Sequence, residues 1–384
     1  MRRRITMAVA TGAVLVLGLA ACGGGDDGDA PGGDETTAAP TATVGIAMPT
    51  KTSERWIRDG DALVAELEEL GYEADLNFAD DDVELQLEQI DAMIEADVDA
   101  IVVAAIDGTS LGEQLEAAEA AGIPVIAYDR LLRDTGDLDF YVTFDNYAVG
   151  VAQAKALLAG LGLVDWAGVP TDTAPTGPLN VELFAGSLDD NNAFFFWQGA
   201  IDTLEPYFED GTLVVKSGQT EIEQTAILRW SEDGAKARMD ELLAAHYSDG
   251  SEIAAVLSPY DGISRGIITS LQEAGMGPTL ADGLPVVTGQ DAEAASVLLM
   301  QEGVQSSTVF KDTRRLAHFA ALAVESYVNG EEPEPNDTTS YDNGVEVVPA
   351  YLLDVESVYL EDITTQLLDS GYLTQEQIDA GSAG

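Results

Sequence analysis

The chain has one cysteine, Cys22, and two histidines, His246 and His318, in 384 residues. A single thiol cannot close an internal disulfide, so the fold has to be held by its core. Two histidines on separate helical segments make no credible serine, histidine and aspartate set for nucleophilic catalysis. Bases are scarce too, with 17 Lys and Arg against 69 Asp and Glu and a formal charge of −52. That balance excludes nucleic acid and anionic lipid surfaces as favourable partners. It suits a high-salt habitat and a lineage bias equally, and bears on solubility more than on fold. No Gly-rich phosphate loop occurs, and the acidic run 80–82 lacks the alternate spacing and distal Glu of a calcium loop. The run reads as a helix start, with negative charge at the positive end of the dipole. No cofactor and no metal are expected.

The one long apolar run stands at the front. Arg2, Arg3 and Arg4 precede an apolar stretch at 5–19, which ends in Leu19-Ala20-Ala21-Cys22. A basic head, about 15 apolar residues and a small-residue cleavage site make an export signal, too short for a membrane span. A cysteine directly after small residues resembles the bacterial lipobox, which implies a signal peptide at 1–21 and a lipid on Cys22. The residues that follow are mainly Gly, Asp, Pro, Thr and Ala, so 22–42 reads as a lipidated flexible linker. The expected location is the cell envelope, at the outer face of the cytoplasmic membrane, with the lipid as the only membrane anchor.

Beyond residue 43 short apolar runs alternate with segments of helical period. Strands are expected at 44–48, 73–78, 100–105, 124–128 and 141–144, with helices at 55–70, 83–96 and 110–121. After the Pro, Gly and Thr-rich stretch 168–178 the pattern restarts. Strands are expected at 179–184, 213–216, 253–257, 285–288 and 307–310, with helices at 192–207, 233–245, 262–274 and 292–302. Both copies carry a strand ending in an Asp-Gly turn, Asp107-Gly108 and Asp261-Gly262. The fold class is therefore α/β, with two doubly wound parallel-sheet lobes. Ligands of such sheets bind beyond the carboxyl ends of the strands, and two facing lobes would share one cleft.

The residues just past those strand ends mix charges, amides and two tryptophans. They include Lys51, Arg55, Trp56, Asp129, Arg130, Asp145, Asn146, Asp190, Asn192, Trp230, Tyr260, Asp261, Gln290, Asp291 and Lys311. A neutral polyol suits such a lining, because each hydroxyl can donate to a carboxylate and accept from a base while a pyranose face packs on an aromatic plane. Plainer roles stand beside this one. Asp107, Asp145 and Asn192 fit helix N-caps, Trp56 fits a core position, and Arg133, Arg314 and Arg315 fit surface ion pairs. Paired carboxylates could serve a glycosidase; here neighbouring bases would keep them ionised, and no enzyme is expected.

The mature chain resembles the type I periplasmic monosaccharide-binding proteins of ABC transporters, above all multiple-sugar binders of the xylose-binding and ChvE kind. The likeness is carried by Glu54-Arg55-Trp56, Tyr128-Asp129-Arg130, Asp189-Asp190-Asn191-Asn192, Pro259-Tyr260-Asp261-Gly262, Gly289-Gln290-Asp291 and Phe310-Lys311-Asp312. The resemblance implies hydrogen bonds to sugar hydroxyls from Arg55, Arg130, Asp190, Asn192, Asp291 and Lys311. It also implies Trp56 and Trp230 as an aromatic clamp, with Tyr260 and Asp261 completing the site. Tyr260, where xylose-specific members carry Asn, favours a site for several aldopyranoses such as xylose, glucose, galactose and arabinose. It further implies a three-strand hinge with crossings near 145–148, 311 and 345–349. The first lobe would be 43–145 plus 312–345 and the second 146–311 plus 346–384. The expected partners are a monosaccharide and a membrane ABC permease, or alternatively a receptor kinase that reads the closed form, with the chain itself a monomer.

Overall fold

The computed structural model describes residues 42–382. The expected signal peptide, the lipid-bearing Cys22 and all but the last residue of the linker lie outside the described residues. Strands β1 (Thr43–Met48), β2 (Glu73–Phe78), β3 (Ala100–Val103), β4 (Val125–Tyr128) and β5 (Phe140–Phe144) come first. They are followed by β6 (Leu179–Leu183), β7 (Leu213–Val215), β8 (Ala255–Leu257), β9 (Val286–Val287) and β10 (Thr308–Phe310). Last come β11 (Ala350–Leu353) and β12 (Glu356–Val358).

One parallel sheet has the order β11-β5-β4-β3-β1-β2 and another the order β7-β6-β8-β9. Central strands such as β3 and β4 are apolar and buried at every position, as strands covered on both faces must be. At the edge, β2 alternates between exposed and half-buried residues over its first half. Helices Glu54–Glu69 and Thr313–Val328 press on one face of the first sheet, with Leu63, Leu67, Leu316, Ala320 and Val324 in one core cluster. Two further clusters, around Ile263 and Val287 and around Leu183 and Leu204, hold the second sheet.

Three features depart from the sequence expectation. Helix Asn146–Gly160 was not foreseen, because its apolar residues run nearly all round and leave no single stripe to read. It packs so closely on helix Asn192–Glu209 that a Cβ at Gly150 would overlap the Phe196 carbonyl, and one at Gly199 the Tyr147 carbonyl. Secondly, β10 pairs with β12 antiparallel, and the bridge between Gln290 and Val309 joins this pair to the second sheet. Thirdly, β11 pairs with β5 in the first sheet, so 350–353 does not belong with the second lobe. The chain passes between the sheets after β5, after β10 and after β11. The third passage therefore lies at 354–355, beyond the expected 345–349, where Val348 is instead buried in the first sheet's core.

Candidate functional site

A cavity of about 440 Å³ opens between the carboxyl ends of the two sheets. Nine of the ten expected sugar-site residues line it: Arg55, Trp56, Arg130, Asp190, Asn192, Trp230, Tyr260, Asp291 and Lys311. Asp261 does not. Its carboxylate turns inward, accepting from Gln305 Nε2 at 2.8 Å, Thr308 Oγ1 at 3.1 Å and the Glu293 N–H at 2.9 Å. It starts helix Asp261–Glu273 beneath the site, and burial together with the charge of Glu293 pushes it up to about 8.

The floor is an ion network. Arg55 Nε donates to Asp59 at 2.9 Å and Arg55 Nη2 to Asp129 at 3.0 Å, while Nη1 stands 3.7 Å from Asp291. Lys311 Nζ lies 3.1 Å from Asp291 and 3.9 Å from Asp129. Arg130 pairs with Asp190 at 3.1 Å. Three cations thus face four carboxylates in mutual ion pairs, which leaves no uncompensated cation for an anionic ligand and suits a ligand without charge. Burial alone would push the Asp129 carboxyl up, but Arg55, Lys311 and Arg130 hold it below the usual range. Asp59, deeper and also bonded by the Tyr128 hydroxyl, is raised by burial to about 6 despite Arg55.

Secondary structure sets these positions. Arg55 and Asp59 are one turn apart on the same helix face. Asp129 follows β4 in the left-handed region at φ 60°, and its carbonyl accepts from Tyr141, Thr143 and Asn192. Asp291 at φ 91°, and Arg229 and Trp230 both at φ 55°, share that rare region. Such strain persists only where surrounding contacts over-determine it, as at ligand sites. Trp56 is buried with the guanidinium carbons of Arg55 and Arg130 at 4.4 and 5.0 Å from its ring centre. Trp230 meets Phe196 and Tyr260 edge-on, both at 6.2 Å, and rests on Gly186, where a Cβ would run into its ring.

Several atoms of the lining retain bonding capacity. Trp230 Nε1 is buried with no hydrogen-bond partner, while the equally buried Arg130 Nε and Asp291 Oδ1 are held by their ion pairs with Asp190 and with Lys311 and Arg55 and by no aligned hydrogen bond. Each lies on a different chain segment and all three residues line the same cavity. Leaving a buried donor such as Trp230 Nε1 unpaired costs about 1–3 kcal/mol, and a ligand hydroxyl would recover it.

Some residues take the plainer roles expected of them and others do not. Asp145 caps its helix by accepting from the Ala148 N–H, but Asn192 bridges Tyr141, Asn146 and Asp129 instead of capping. Arg314 forms a surface pair with Asp312, and Lys51 sits over Phe78 away from the cavity. Asp129 and Gln290, expected in the cleft lining though not among the sugar contacts, line the cavity, and so do Phe196 and Arg229, which were not foreseen. Phe196 and Asp59 were within reach of the sequence, each four residues after a chosen position on the same helix, Asn192 and Arg55.

Two parallel sheets that share a cavity at their strand ends, with charged and aromatic walls from both, define a bilobal ligand-binding protein. The model for a periplasmic binding protein domain matches residues 44–332, and the chain belongs to that family. It is 50% identical over 341 residues to the multiple sugar-binding periplasmic receptor ChvE of Rhizobium radiobacter, covering 89% of this chain and 93% of that receptor. It is 48% identical over 348 residues to the multiple sugar-binding periplasmic protein SbpA of Azospirillum brasilense, covering 91% and 94%. An ABC transporter solute binding protein from Clostridium phytofermentans, solved with β-D-glucose, superposes with a TM-score of 0.80 at 41% identity. That match covers 88% of this chain and 99% of the other.

Proposed function

We propose that this protein is an extracytoplasmic receptor that captures a monosaccharide in the cavity between its sheets and hands it to an ABC permease. The observation that carries the reading is the cavity lining, with its charges in mutual ion pairs, a buried Trp230 Nε1 without a hydrogen-bond partner and two tryptophans on opposite halves. Equatorial hydroxyls would bridge Asp291, Lys311 and Arg55 on one side and Asp190, Arg130 and Asn192 on the other. Trp56 and Trp230 would hold the C–H faces of the ring. The ligand class is an aldopyranose such as xylose, glucose, galactose or arabinose, bound without catalysis. The sugar-binding names of the relatives and the glucose held by the solved neighbour support this reading.

The basic head, apolar run and Cys22 support export and lipid anchoring. No helix among the described residues is long and apolar enough to cross a membrane. The lobes of the proposed receptor are 43–145 with 312–353, and 146–311 with 356–382, closing about the passages at 145, 311 and 354–355. A thermal-shift panel of monosaccharides on residues 23–384 tests the binding claim, because a ligand of the native state alone raises its melting temperature. Silence with every aldose would overturn it. Detergent partition of the wild type against Cys22→Ala tests the anchor, with only the wild type expected in the detergent phase.

A further inference from the structure

Ser53 occupies the N-cap position of helix Glu54–Glu69, yet its side chain makes no capping hydrogen bond. Serine at that position ordinarily accepts from the first turn's N–H groups. Here the hydroxyl instead donates to Glu293 Oε1 at 2.9 Å, 240 residues along the chain, in the turn between β9 and helix Ala294–Gln301. The same oxygen accepts from the Tyr260 hydroxyl at 2.7 Å, and Oε2 pairs with Arg265 at 2.8 Å. Glu293 is 3% exposed and does not line the cavity. One helix residue further on, Glu54 Oε2 accepts from the Ala294 N–H at 3.4 Å.

We infer that Glu293 is a positioning residue for sugar capture, a buried strut that locks the Arg55 and Trp56 helix to the half bearing Tyr260 and Asp291. It acts through Ser53 and sets how long the closed form holds its ligand. This rests on the sugar-receptor reading above. Tyr260 and Arg265 come from the same half as Glu293, so they fix the carboxylate whether or not the lobes are closed. The Ser53 bond crosses between halves and exists only in the closed arrangement. A contact made only in one state shifts the equilibrium toward it, and a sugar that needs both halves binds more tightly by that factor. The sugar meets the open form first, so the effect belongs to release and not to capture.

The test is a double-mutant cycle on Ser53→Ala and Glu293→Gln, read by stopped-flow fluorescence with D-glucose or whichever aldose gives the largest thermal shift. Ser53→Ala should speed release and weaken affinity about tenfold, the scale of a hydrogen bond to a carboxylate, with the capture rate changed less than about twofold. In the Glu293→Gln background Ser53→Ala should add little, and Ser53→Thr, which keeps the hydroxyl, should restore most of the residence time. Small-angle scattering of the sugar-free protein should show Ser53→Ala more open than the wild type. Release rates and affinities equal to the wild type in both single variants would overturn the strut, as would fully additive effects. If the wild type binds no aldose, the receptor reading fails instead.

Discussion

Arg55 and Asp291 stand 3.7 Å apart across the cavity, one on the first helix of the chain and the other in the turn after β9. Ion pairs run both within the first half and across the cavity. Arg55 is balanced on its own half by Asp59 and Asp129, while Asp291 leans on Lys311 at the passage between the sheets. Burial lowers the affinity of Arg55 for its proton, but these three carboxylates more than reverse this, and the guanidinium is held well above its ordinary value. The site is thus a shared electrostatic unit of both halves.

Lys311→Met keeps the length of the buried stem and removes the charge between Asp129 and Asp291. Affinity for an aldose should fall by about 2 kcal/mol or more, on the order of 30-fold, as for loss of a charged hydrogen bond. Titration calorimetry checks this, with circular dichroism confirming the native fold. Unchanged affinity would remove Lys311 from the site.

Gly186→Ala places a methyl group where the Trp230 ring lies. The ring must move, and the stacking it offers a pyranose should weaken by about 0.5–1.5 kcal/mol, a three- to tenfold loss of affinity. Tryptophan fluorescence should shift in the sugar-free protein as well. Identical spectra and affinity would show that the aromatic wall does not depend on this close approach.

Much of this was legible in the sequence, for identifiable reasons. Strand ends followed by Asp129-Arg130, Asp190, Asp291 and Lys311 mark the cleft, because parallel sheets present their carboxyl ends to ligands. What escaped was of two kinds. Helix Asn146–Gly160 is buried nearly all round and so shows no amphipathic stripe. Asp261 carries the right residue type at a strand end, but the direction of its side chain depends on Gln305 and Thr308, distant in sequence. The Ser53 contact with Glu293 has no local signal at all, since its partners stand 240 residues apart in the chain.

Burial and the charge of Glu293 push Asp261 up to about 8, from an ordinary value of 3.8. The folded state therefore holds a proton that the unfolded chain releases at lower pH. This group's contribution to stability is fully present below about pH 4 and is lost as pH rises through about 8. Asp59 behaves alike, with its loss complete by about 6. Urea midpoints should fall between about pH 5 and about pH 9, and Asp261→Asn should flatten the slope above about pH 6. Parallel slopes for wild type and variant would contradict this assignment.

Gly150→Ala inserts a methyl group against the Phe196 carbonyl in the contact of helices Asn146–Gly160 and Asn192–Glu209. Overpacking of this kind should destabilise the fold by about 1–3 kcal/mol in urea denaturation. An unchanged midpoint would mean that the two helices separate without loss.

The most direct test of the receptor reading is a calorimetric titration of D-glucose and D-xylose into residues 23–384, repeated with Lys311→Met. The account predicts saturable binding of one sugar per chain for the wild type and a large loss of affinity in the variant. No saturable heat with either sugar or with galactose and arabinose, in protein shown to be folded, would contradict it.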